Sequence, residues 1–93
     1  MFKLRKYHGD RVQSLTYDGD DKSFSVGILA PGEYEFGAIK KEVITVTSGE
    51  ISAWVEGWDN WKTYKTGETF EVGAHKNFKQ KVTDVSSYIC FYE

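Results

Sequence analysis

The side chain in this sequence best placed to do chemistry is Glu42. It opens the run EVITVT (42–47) in phase with Ile44 and Val46. Side chains in an extended chain alternate, so the face that buries those two also turns the Glu42 carboxylate inward. A carboxylate at the edge of an apolar interior is costly unless something uses it. In use, it accepts hydrogen bonds from substrate hydroxyls and stabilises positive charge forming beside it; otherwise it is a strand-end acid satisfied by backbone amides or by Lys40 or Lys41. Tyr34, Phe36, Phe70, Phe78, Tyr88 and Tyr92 alternate so that each can point the same way. Rings of this kind are ordinary core material, and they also suit a planar heterocycle held in the mouth of a small barrel. His75, in a loop between two extended runs, can give or take a proton near neutral pH. Ser25, Lys76 and Lys79 are the hydroxyl and cations available to an anion.

Other chemistries are poorly provided for. A transition-metal site needs three or four converging ligands, and besides carboxylates the chain offers only His8, His75 and Cys90; no metal is expected. Nothing near Cys90 in sequence activates its thiol, and a lone cysteine on an aromatic strand is usually a small hydrophobe. There is no glycine-rich phosphate loop of the P-loop type.

The elements that must position these residues are short strands. RVQSLTY (11–17) and Ser23–Leu29 flank DGDD (18–21), whose Asp-Gly pair closes tight hairpins; Phe24, Val26 and Ile28 share one face of the second run. Pro31-Gly32 punctuates before GEYEF (32–36). EVITVT, EISAWVE (50–56), WKTYK (61–65), ETFEV (68–72), FKQKV (78–82) and SSYICFYE (86–93) follow, separated by turn signals. The last of these is apolar on both sides, which predicts a strand covered on both. No segment beyond one turn places apolar residues at i, i+3, i+4 and i+7, so the chain is all-β, a sandwich or a small barrel. Residues 1–10, polar and basic, carry little fold signal and are expected to be a leader, mobile or laid along a partner. Residues 11–93 form the single domain.

Composition narrows the function. The chain has 93 residues, 12 Lys+Arg against 14 Asp+Glu and no block of one sign, which argues against a nucleic-acid partner. No apolar run approaches bilayer length, and the basic start lacks the apolar stretch of a signal peptide. One cysteine excludes an internal disulfide and fits a reducing, cytoplasmic setting. Trp54, Trp58 and Trp61 bracket one turn in the manner of a subunit contact, and the aromatic surface exceeds what one small barrel can cover, so a homodimer is expected.

Longer motifs point further. Glu42, six residues, then Gly49 resembles the second half of the first cupin motif, and Gly67, five residues, then Gly73-Ala74-His75 resembles the start of the second. The cupin metal histidines would fall near Phe36 and Ala38 and at Phe78, where this chain has none. SVGILAPGEYEF (25–36), ExxTVxSG (42–49), WxxYxxGxxFxV (61–72) and YICFY (88–92) together resemble the small single-domain cupins known as pyrimidine/purine nucleoside phosphorylases, over about Gln13 to the C-terminus. The departures are Gly73, where proline is usual, and a more charged segment before Ser25. The resemblance implies an RmlC-like cupin barrel without metal or other cofactor. It implies phosphorolysis with broad base tolerance: nucleoside plus phosphate, the co-substrate, giving free base and ribose 1-phosphate. Glu42 would act at the ribose, and Tyr34, Phe36, Phe78, His75, Tyr88 and Ser25 would bind the substrates. A cupin that binds a small planar ligand without turnover, or serves only as a dimer module, is the alternative.

Overall fold

The computed structural model describes residues 2–93 as ten antiparallel strands with no helix. The chain repeatedly crosses between two facing sheets, which enclose the core of the flattened barrel. Strands β1 (Phe2–Tyr7), β2 (Val12–Asp18), β3 (Ser23–Leu29), β5 (Glu42–Ser48), β8 (Thr69–Val72) and β10 (Ser86–Tyr92) make a sheet of order β1-β2-β3-β10-β5-β8. Strands β4 (Gly32–Gly37), β6 (Glu50–Val55), β7 (Lys62–Lys65) and β9 (Asn77–Val82) make the other, of order β4-β9-β6-β7. Tight links make the crossings. At Gly49 the chain leaves β5 for β6 with φ +76°, and an added Cβ there would lie 2.3 Å from Ser86 Oγ, so only glycine fits.

The alternation expected of EVITVT holds. Ile44 and Val46 are buried, and Glu42, in phase with them, opens β5 between Tyr92 of β10 and Val72 of β8. The core divides along the strands. Val12, Leu29, Ile51 and Val82, each at most 4% exposed, fill one end; Glu42, Phe36, Phe78 and Tyr92 lie toward the other.

The expectation of a leader is corrected. Residues 2–7 of the expected leader form β1, paired along its whole length with β2 from Phe2↔Tyr17 to Tyr7↔Val12; Met1 lies outside the described residues. Every residue of β1 is exposed, so the backbone ladder holds a strand that has no burial pattern to reveal it. In β3 the expected alternation holds: Val26 and Ile28 share the outward face, and Ser25, Gly27 and Leu29 the buried one. The small residues are inside because Tyr88, opposite Gly27, lays its ring across that glycine: a Cβ there would be 2.4 Å from Tyr88 Cζ.

Strand β10 occupies the middle of the six-stranded sheet, between β3 and β5. Its inner side carries Ser86, Tyr88 and Cys90, but on its outer side Phe91 is 40% exposed. The outer face of this sheet is apolar: Leu4, Leu15 and Val26 are opposed in register, and an aromatic ladder runs Phe2–Tyr17–Phe24–Phe91 at centroid spacings of 5.5, 5.7 and 5.5 Å. The outer face of the smaller sheet differs. Each tryptophan is covered by a lysine of the same chain, Lys79 over Trp54, Lys62 over Trp58 and Lys81 over Trp61, at 5.6, 4.8 and 4.4 Å.

Candidate active site

Between the sheets, at the end where Glu42 lies, is a cavity of about 310 Å³, at the small end of the range of about 300–1,000 Å³ typical of small-molecule sites. Strand β5 supplies Glu42 and Ile44, β10 supplies Tyr88, Cys90 and Tyr92, β4 supplies Phe36, and β9 supplies Phe78 and Gln80. Tyr7 and His8 close one side.

Glu42 is half-buried, and loss of hydration raises its carboxyl above the ordinary value, an effect that a hydrogen bond from Cys90 partly offsets. The Cys90 thiol donates to Glu42 Oε1 at 3.4 Å. Burial, then the neighbouring carboxylate, pushes that thiol far above its ordinary range, so it is a neutral donor and not a nucleophile. Burial also pushes the Tyr88 and Tyr92 hydroxyls up. The thiol and both phenols therefore keep their protons at neutral pH, leaving Glu42 as the group among these four that can carry charge there.

The aromatic wall is built around Phe36. Cross-strand pairing sets it opposite Phe78, with the rings stacked at 5.4 Å and 29°. Tyr7 and His8 meet Phe36 edge-on at 6.0 and 5.4 Å. The β1–β2 turn brings them there through three consecutive left-handed residues, His8 (φ 53°), Gly9 (φ 66°) and Asp10 (φ 70°), a conformation disfavoured for the two that are not glycine. The His8 Nε2–H donates to the Glu35 carbonyl at 3.2 Å.

Of the residues singled out from sequence, Glu42, Phe36, Phe78 and Tyr88 come together on the cavity wall. Ser25 lies behind it, buried, with its hydroxyl 2.9 Å from the Tyr92 hydroxyl. Tyr34 is buried outside the wall and donates its hydroxyl to the Ala30 carbonyl at 2.6 Å. His75 is exposed in the β8–β9 loop with φ 66°, and its amide donates to the Ala38 carbonyl at 2.7 Å; its side chain does not line the cavity. Lys79 lies over Trp54 on the outer face, and Lys76 Nζ is 3.5 Å from the Glu56 carbonyl. Neither cation lines the cavity. Sequence reasoning missed Tyr7, His8 and Gln80. The first two were hidden in the expected leader, and a glutamine within FKQKV gives no burial signal.

The residues at the cupin metal positions do not fit a metal. Phe36, Ala38 and Phe78 have no donor atoms, and among the described residues no three His, Cys, Asp or Glu side chains converge into a metal-binding group.

Similarity to known proteins agrees with this geometry. Residues 2–92 match the family model described as pyrimidine/purine nucleoside phosphorylase. A protein of Pseudomonas putida strain W619 named pyrimidine/purine nucleoside phosphorylase is 40% identical over 92 residues, covering 99% of this chain and 98% of that one. One of the same name from Alcanivorax borkumensis is 39% identical with the same coverage. Among solved structures, a Vibrio parahaemolyticus protein of unknown function superposes with a TM-score of 0.94 at 34% identity, covering 100% of this chain and 99% of that one. An RmlC-like cupin from Shewanella frigidimarina superposes at 0.78 with 17% identity, covering 98% and 82%, which supports the cupin fold. With a match running nearly end to end, the chain belongs to the pyrimidine/purine nucleoside phosphorylase family.

Proposed function

We propose that the protein is a glycosyltransferase of broad base specificity that cleaves purine and pyrimidine nucleosides with phosphate, without a metal or other cofactor. A phosphate oxygen bonds to ribose C1′ as the C1′–N bond breaks. The bond's electron pair leaves with the base, which takes up the proton that the phosphate loses on forming the ester, and the products are free base and ribose 1-phosphate. The observation that carries this reading is the half-buried Glu42 carboxylate facing an aromatic-walled cavity. The transition state of N-glycosidic cleavage is oxocarbenium-like, so a carboxylate at the ribose helps by accepting hydroxyl hydrogen bonds and by its charge. Phe36, Phe78 and Tyr88 offer the base apolar faces that tolerate either ring size.

Cations that could take the phosphate line a second recess that also contains Glu42. This recess contains Arg5, Lys40, Thr16, Ser23 and Asp18, whose carboxylate accepts the Ser23 hydroxyl at 2.7 Å, and shares Tyr7, Gly37, Glu42 and Tyr92 with the cavity. This supports an order of base, ribose and phosphate, with Glu42 at the junction. We assign the phosphate to Arg5 and Lys40 in place of Lys76 and Lys79.

The protein acts as a homodimer in the cytoplasm on this reading, the second copy covering the apolar outer face of the six-stranded sheet, where Leu4 is 64% and Ile28 57% exposed. An apolar sheet face can pack on its own copy about a two-fold axis. Light scattering should give twice the chain mass, and the monomer mass for Ile28→Lys; a monomeric wild type would contradict the dimer.

The test of function is release of base from uridine and inosine. We expect release that depends on phosphate and yields ribose 1-phosphate, with Arg5→Ala raising the phosphate KM about tenfold, the scale of one charge-assisted contact, while the nucleoside KM changes little. Nucleoside binding without turnover would instead favour a sensing cupin.

A further inference from the structure

Gln80 is 2% exposed, and its Oε1 is the one buried side-chain oxygen or nitrogen among the described residues with no hydrogen-bond partner. Buried polar atoms are rarely left unpaired, because burial costs them their water. A leucine or methionine would fill this position without that penalty. Pairing places Gln80 between Tyr34 of β4 and Ala53 of β6, on the same face of β9 as Phe78, and it lines the cavity. The hydroxyl of its neighbour Tyr34 is already committed to the Ala30 carbonyl. The Gln80 side chain therefore borders the space where the proposed reaction puts the base, two residues, or about 7 Å, along the strand from Phe78, and its unpaired oxygen, which has almost no accessible surface, reaches that space when the carboxamide turns.

We propose that Gln80 reads the polar edge of the base, and that rotation of its carboxamide lets one cavity accept purines and pyrimidines alike. Uracil, hypoxanthine and guanine present a ring N–H beside a carbonyl. Cytosine and adenine present an amino group beside a bare ring nitrogen. In each case the carboxamide oxygen accepts one hydrogen bond while its NH₂ donates the other. A half-turn about the terminal bond exchanges the two, so one side chain matches either order. The inference rests on the phosphorolysis reading and names the residue that supplies its base recognition.

The experiment compares inosine with purine riboside, which has the same ring system without the oxygen at position 6 or the neighbouring N–H, in wild type, Gln80→Leu and Gln80→Met. A site built to hydrogen-bond its substrate rejects the analogue that lacks the group. We expect wild type to favour inosine in kcat/KM by about tenfold or more and both variants to lose that preference. Two variants guard against one failing to fold, and thermal melting reports folding independently. An unchanged preference in a folded variant, or no preference in wild type, overturns the proposal. If wild type releases no base from any nucleoside, the phosphorolysis reading fails separately. Calorimetry with hypoxanthine and unsubstituted purine then decides for Gln80: tighter binding of hypoxanthine that is lost in the variants supports it, and equal or absent binding overturns it.

Discussion

The two ends of the interior are built on the same strands and do opposite things. On β5, Val46 faces the closed end and Glu42 the open one, four residues apart on one face. On β9, Val82 and Phe78 stand in the same relation, with Gln80 between them. The closed end holds apolar side chains with almost no exposure and a buried hydroxyl, Ser86, whose hydrogen bonds are made. The open end holds a carboxylate raised by desolvation, an unpaired amide oxygen and a neutral thiol. Burying the carboxylate and the unpaired oxygen lowers stability, whereas at the closed end the same faces of β5 and β9 carry Val46 and Val82, and the buried Ser86 hydroxyl of β10 is hydrogen-bonded. The difference teaches that the fold does not require the polar groups of the open end, so their presence there points to a ligand.

The contrast is tested most severely at Glu42. Glu42→Gln should lower turnover by roughly 10²–10³-fold, as removing one preorganised electrostatic group does elsewhere. Stability should move the other way. A raised carboxyl binds its proton more tightly folded than unfolded, so the fold loses stability as pH rises from the ordinary value of 4.5 through the raised one, and the full cost is present above it. Glutamine carries no such cost, and the variant should melt higher than wild type at pH 7 but not at pH 4. Equal melting temperatures at both pH values would mean that Glu42 is well solvated and would erase the contrast.

At the closed end the expected signs are reversed. Leu29→Ala should cost about 2–5 kcal/mol in denaturant unfolding while leaving kcat of the folded fraction near wild type. A large fall in kcat at unchanged stability would show that the two ends are not separable. The smallest effect is expected at Cys90. Its thiol lowers the Glu42 pKa by donating to Oε1, so Cys90→Ala should move the acidic limb of the pH–rate profile to higher pH. A limb that stays in place would detach Glu42 from that profile.

Much of this was legible in the residues themselves. The phase of Glu42 with Ile44 and Val46 carried its orientation, and the Asp-Gly and Ser-Gly pairs marked turns. What was not legible has physical causes. Strand β1 has no buried face, so no periodicity announces it, and with it went Tyr7 and His8. The alternation of β3 was legible but not which of its faces is buried, because the apolar Val26 and Ile28 face outward while Gly27 makes room inside for the Tyr88 ring. Aromatic alternation placed Phe36, Phe78 and Tyr88 on the cavity wall, but the same rule could not exclude Tyr34, which a hydroxyl bond to Ala30 ties outside it. The two lysines were chosen by residue type and His75 by type and loop position; the β8–β9 loop holds His75 and Lys76, and the outer face of β9 holds Lys79, away from the cavity.

In the proposed reaction the Glu42 carboxylate touches the ribose of the bound nucleoside. A crystal structure of the Glu42→Gln variant soaked with inosine and phosphate tests it most directly. We expect ribose hydroxyls about 2.6–3.2 Å from the residue 42 side chain, the base against Phe36 and Phe78, and phosphate beside Arg5 and Lys40. A nucleoside bound outside this cavity, or one whose ribose lies away from residue 42, would contradict it.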